Sequence, residues 1–198
     1  MKKTGFTLFS AVMVLMLVSF TKPKADTFSL DTSKSVINWV GKTIVNRQHT
    51  GTLNLSKGSV IMDGNNITGG EFTMDMKTIK VTDMPAERAP NLENHLKNED
   101  FFDVSKFPTG TFKITKVTNN GATATITGNL TLKNITKSIS FPATIQRTGN
   151  TLTAKAKGVK FNRTEFDVKH RSGNFFSGLG DRAIEDDIEI DIEIVASK

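Results

Sequence analysis

The chain has 198 residues, 37% of them hydrophobic and 23% charged, with a formal net charge of +6, which suffices for one domain with a sizeable core. It holds no cysteine and no tyrosine, excluding a disulfide framework, a thiol nucleophile, a Cys-ligated metal and a lipidated-cysteine anchor. Without Lys2, Lys3, Lys22 and Lys24 the basic side chains fall from 26 to 22 against 20 acids. The body of the chain therefore carries no basic footprint for nucleic acid.

Lys2 and Lys3 precede an uncharged apolar run from Phe6 to Phe20, and Ala25 follows a short polar stretch. A basic start, an apolar middle and a small residue at the cut describe a signal peptide over residues 1–25. The run is shorter than the roughly 20 residues that cross a bilayer. Residues 26–198 are then a single mature domain, periplasmic or secreted, in a bacterial setting that gives the Asn-x-Thr sequons little weight.

In the mature chain, residues 35–41 read as a strand carrying the only tryptophan, Trp39. Residues 49–55 follow, with Leu53 and Leu55 on one face. Lys57-Gly58 is read as a turn into residues 59–62, and Asp63-Gly64-Asn65-Asn66 as a hairpin turn. Residues 70–76 alternate, with Phe72, Met74 and Met76 on one face and Thr73, Asp75 and Lys77 on the other. In residues 92–103 the rule changes: Leu92 and Leu96 stand four apart, and Pro90 can occupy a first helical turn. Two leucines cannot bury themselves alone, so this short helix caps a sheet or barrel end.

Residues 111–115 pair through Asn119-Asn120-Gly121 with residues 123–127. Residues 128–133 turn at Asn134 into residues 137–145, and Gly149-Asn150 leads into residues 152–156. At Gly158 the apolar parity slips to Val159 and Phe161, which indicates a bulge. In the last strand Ile188, Ile190, Ile192 and Ile194 face one way and Glu189, Asp191 and Glu193 the other. The chain is thus all-β, with about eight to ten antiparallel strands in a sandwich or a closed barrel.

Catalytic signals are absent. No serine lies in a nucleophile elbow, and the adjacent Glu185, Asp186 and Asp187 alternate faces as a solvated strand edge would. His49, His95 and His170 have no metal-type spacing, so neither metal nor cofactor is expected, and His95 is read as packing or hydrogen-bonding at the helix–barrel junction. Trp39, Phe72, Met74, Met76, Phe112, Ile114, Leu130, Leu132, Phe141 and Phe161 form an apolar set that fits a ligand pocket and a filled core equally well. Beside Phe161, the cations Arg163, Lys169 and Arg171 suit either an anionic headgroup at a pocket mouth or solvated loop charge.

Several stretches together resemble the YceI-like family: residues 94–103 before Phe107-Pro108, Gly128 to Lys137, and Ile184-Glu185-Asp186-Asp187-Ile188, with Trp39-Val40-Gly41-Lys42 and His49-Thr50-Gly51 matching one branch. Asn134 stands where the family usually has glycine. Order and spacing match over about residues 27–196. The resemblance implies an extended lipocalin-like antiparallel barrel with a short capping helix, and an apolar cavity for a long-chain lipid such as a polyisoprenoid, a quinone or a fatty-acid-like amphiphile. An exported carrier or reservoir without catalysis follows, partnered by lipid and not nucleic acid, with room for transient membrane contact and for a homodimer. The competing readings are a structural barrel with a filled core and a lipid-modifying enzyme.

Overall fold

The computed structural model describes residues 25–198, so the expected signal segment lies, apart from Ala25, outside the described residues. Ten strands and one α-helix follow in the order β1 (Asp26–Leu30), β2 (Val36–Lys42), β3 (Gln48–Asp63), β4 (Asn66–Asp75), β5 (Lys80–Val81), α1 (Ala89–Lys97), β6 (Thr109–Asn120), β7 (Thr123–Leu132), β8 (Ile135–Thr148), β9 (Thr151–Asn162) and β10 (Asp187–Ser197). Every pairing between these strands is antiparallel. Eight strands close a ring, β10-β2-β3-β4-β6-β7-β8-β9 and back to β10, which settles the sandwich-or-barrel alternative for the barrel.

Two short strands share one place in that ring. β2 bridges β10 and β3 through residues 36–42, while β1 bridges the same two strands farther along, pairing Phe28 with Val60 and Ser29 with Ser197. The expected turn at Lys57-Gly58 is absent, and β3 instead runs unbroken for 16 residues. The register slips between Leu55 and Lys57, so a bulge absorbs the extra residue. Gly58 is there for space: a Cβ would lie 2.6 Å from the Phe72 ring. The bulge expected at Gly158 is present, between the pairs Val159–Ile190 and Ala156–Ile192. Gly158 takes φ +63° and donates its N–H to Asp191 Oδ1 at 2.8 Å.

The barrel ends differ. At one end the β3–β4, β6–β7 and β8–β9 hairpins converge on Phe28, Met62, Leu152 and Ala196, all with no exposed surface. The other end is covered by α1 and by residues 163–186. Pro90 sits in the first turn of α1, but no side chain caps its N-terminus, so tertiary contacts must hold so short a helix. One is the Val81 N–H donated to Glu93 Oε1 at 3.0 Å; others come from residues 98–104, where Phe102 and Val104 donate back to the carbonyls of Leu96 and Lys97.

Candidate functional site

Alternation turns one side of every barrel strand inward, but the inward side chains do not fill the interior. Two cavities lie along it. The larger, about 180 Å³, runs from the middle of the barrel to α1. The smaller, about 90 Å³, continues toward the packed end. Ile37, Met74, Leu130 and Ile190 border both, so a waist of four apolar side chains separates them. For scale, an apolar cavity of about 150 Å³ stays dry and takes up benzene.

All ten residues of the apolar set border this space. Trp39, Met76, Leu132 and Phe161 line the larger cavity, Phe72, Phe112, Ile114 and Phe141 the smaller, and Met74 and Leu130 form part of the waist. Sequence reasoning left out Ile37, Leu53, Phe101, Phe102, Ile188 and Ile190, which line it too. The isoleucine alternation of β10 was the signal for Ile188 and Ile190; Phe101 and Phe102 follow the helix and offered no period. Leu92 and Leu96 reach the larger cavity and stay half-buried, with Leu96 packed against the edge of the core.

Polar groups stand at the rim. Thr43, Arg47 and His49 border the larger cavity, and the last two are exposed, so the cavity reaches the surface beside the β2–β3 connection. His49 Nδ1 lies 3.0 Å from Asp83 Oδ2. Trp39 donates its indole N–H to the Thr52 carbonyl at 3.3 Å and lies over Gly51, where a Cβ would come within 2.3 Å of the ring.

The cation expectation needs correction at Arg163. This side chain is 1% exposed, and its guanidinium donates to the carbonyls of Glu185, Val168 and Ile184 at 3.0, 2.6 and 3.2 Å. Asp186 Oδ1 lies 3.5 Å away. Burial pushes the Arg163 pKa down and Asp186 opposes the shift, but a guanidinium remains charged in either case. Three of its N–H groups hold residues 163–168 to residues 184–186, so this guanidinium is a buried structural cation and not a free one at the surface. Lys169 pairs with Asp167 at 2.7 Å and sits 5.1 Å over the Phe175 ring, while Arg171 is exposed.

His95, on α1, behaves as expected of a junction residue and more. Its ring meets Phe101 edge-on at 5.0 Å and His170 at 4.9 Å, and its Nε2 lies 3.0 Å from Asp100 Oδ2. Burial holds the His170 imidazole below its ordinary pKa; Asp100 opposes this, and His95, Arg171 and Arg163 reinforce it. His170 Nε2 is buried without a hydrogen-bond partner.

The sequence pattern of the YceI-like domain family matches residues 28–196. A UPF0312 protein of Pseudomonas paraeruginosa is 38% identical over 100 residues, a stretch spanning 50% of this chain and 50% of that relative's length. Protein YceI of Salmonella arizonae is 30% identical over 149 residues, covering 75% of this chain and 74% of the relative. Among solved structures, a polyisoprenoid-binding domain from Saccharophagus degradans, implicated in plant cell wall breakdown, superposes with a TM-score of 0.64 at 11% identity. The superposition covers 86% of this chain and 97% of that one, a likeness of fold.

Proposed function

The chain belongs to the YceI-like domain family, and from that premise we propose that it is an exported carrier or reservoir for one long-chain amphiphile of the isoprenoid, quinone or fatty-acid-like class. The observation that carries this reading is the pair of adjoining apolar cavities joined at Ile37, Met74, Leu130 and Ile190. A chain threaded through that waist would lie along the barrel axis against mostly apolar side chains, and Met74 and Met76 are flexible enough to follow its kinks. The likeness of fold to the polyisoprenoid-binding domain from Saccharophagus degradans agrees with this ligand class.

The protein acts by binding and not by catalysis. Apart from the buried Arg163, whose guanidinium is bonded to loop carbonyls, the charged residues of the larger cavity, such as Arg47 and His49, gather at its rim. A headgroup would stay at that rim, where Arg47 and Arg171 are the exposed cations; Arg163 has no role there. Loading would take place at a membrane. Ile44, Val45, Phe175 and Phe176 are 59%, 41%, 51% and 51% exposed, on loops that the Ile44 N–H to Ala183 carbonyl bond brings together beside the mouth. Apolar side chains beside free cations suit the interface of an anionic bilayer.

The test is a lipid extract of protein purified from the exported fraction, read by mass spectrometry, with uptake of a fluorescent isoprenoid alcohol by delipidated protein as its complement. Co-purified long-chain lipid in near-stoichiometric amount, or saturable uptake of the probe, is expected. An empty barrel that also refuses the probe overturns the carrier reading in favour of a structural barrel. Phe175→Glu with Phe176→Glu should slow uptake from anionic vesicles and leave uptake from detergent unchanged.

A further inference from the structure

We propose that His95, His170 and Asp100 form a binding site for a divalent transition-metal ion of the zinc type, which clasps the helical cover to the barrel. One ring nitrogen from each histidine and one carboxylate oxygen lie within 4.8 Å of one another. His95 Nε2 and Asp100 Oδ2 are 3.0 Å apart, and His170 Nδ1 lies 3.9 Å from Asp100 Oδ1. Donors around tetrahedral zinc, bonded at about 2.0–2.1 Å, stand about 3.3 Å apart. The His95–Asp100 pair is already near that spacing, and donor separations of up to 4.8 Å would close by about 1.5 Å at most to reach it.

Chemistry and surroundings fit such an ion. Two imidazoles and one carboxylate select zinc, copper or nickel over calcium or magnesium, which prefer oxygen alone. Three protein donors leave a fourth position to water. Asp100 is 49% exposed, so a hydrated ion can enter, while the His170 side chain is 22% exposed. The Phe101 ring packs against both imidazoles, 5.0 Å from each, giving the site an apolar floor that limits ligand motion. The ring nitrogen that faces Asp100 is His170 Nδ1; Nε2 is buried on the other side of the ring without a hydrogen-bond partner.

The position gives the ion a mechanical role. His95 lies on α1 and Asp100 in the segment just after it, while His170 follows the Arg163-anchored stretch that leads from β9. One bond set would tie the two coverings of the larger cavity to each other, and the cover then has a locked and an unlocked state. The metal site stands without the lipid-binding reading; only this consequence rests on it.

Calorimetric titration of delipidated mature protein with ZnCl2, in a buffer that does not chelate zinc, tests the site alone. One ion per chain with a micromolar or tighter dissociation constant is expected. His95→Gln, His170→Gln and Asp100→Asn should each weaken binding at least tenfold, with circular dichroism confirming the fold. His49→Gln serves as the surface-histidine control, since His49 pairs with Asp83 on the rim, and it should bind as the parent does. Absence of saturable binding overturns the proposal. So does binding that survives His170→Gln, or that falls equally with His49→Gln. Zinc should then slow release of a bound isoprenoid probe, and not in His170→Gln; zinc binding without slower release removes the clasp and leaves the site.

Discussion

The two ends of the barrel are built to opposite rules. At the hairpin end Phe28, Met62, Leu152 and Ala196 have no exposed surface, and the Arg147 guanidinium lies 5.1 Å over the Phe28 ring. At the helix end Leu92 and Leu96 are half-buried over a cavity, and Phe175 and Phe176 stand half in water. The first end has the close packing that stabilises a fold. The second gives up that packing and keeps an entrance. A barrel carrying both can hold its shape while one end opens, as the proposed carrier role requires.

Arg163 is the exception that should produce the largest loss. It is the one fully buried cation among the described residues, and it holds the loops of the otherwise loose end. Arg163→Ala leaves three carbonyls without their donor and Asp186 without its cation, and should cost about 3–5 kcal/mol in urea unfolding. A loss under 1 kcal/mol would mean that water replaces the guanidinium and that the covering loops are not anchored through it.

Matched leucine truncations compare the ends directly. Leu152→Ala, in close packing, should cost about 2–5 kcal/mol, and Leu96→Ala, already facing a cavity, about 1–2 kcal/mol. Lipid release should rank the other way, with Leu96→Ala the faster. Chemical unfolding and stopped-flow transfer of a fluorescent lipid measure the two orders. If Leu152→Ala also releases lipid faster, α1 is packing and not a cover.

Gly51→Ala should act locally, between these extremes. Its methyl would meet the Lys80 carbonyl and the Trp39 ring, displacing β5, the platform of α1, at a cost of about 1–3 kcal/mol. Trp39 is the sole tryptophan, so a red-shifted emission reports the displacement. Unchanged emission would show that the strand, and not the ring, gives way.

The hairpin end was the more legible in the sequence. Its turns are marked by Gly64, Gly121 and Gly149, and strict alternation along β7 and β10 names the inward face. The missed feature there was the length of β3, because a glycine inside a strand and a glycine in a turn look alike until Phe72 is seen above Gly58. The inward side chains were also legible, which is why the ten-residue apolar set borders the cavities; whether they leave space between them depends on barrel radius, which no single strand encodes. At the helix end the reading faltered. Arg163 looked like a surface cation because the carbonyls that consume it come from residues 168, 184 and 185, and the convergence of His95, Asp100 and His170 joins segments with no common period.

The smallest expected effect lies away from both ends, in the β1–β2 connection. Asp31 is held at a pKa of about 2 by hydrogen bonds from Lys34 and then Ser33, at 2.8 and 2.6 Å. The unfolded chain should titrate near 3.9, so the folded value is the lower of the two. The interaction therefore contributes its full share above about pH 4 and loses it as the pH falls through the window down to about 2. Because Lys34 is largely exposed, salt screens the pair and the contribution stays small. Asp31→Asn should lower the urea midpoint slightly at pH 7 and leave it equal to the parent's near pH 2. A difference that persists at low pH would assign the role of Asp31 to its uncharged hydrogen bonds and not to its charge. Neither outcome should alter lipid release, since Asp31 touches neither cavity nor cover; a change in release rate would show that the two ends are coupled through the strand frame between them.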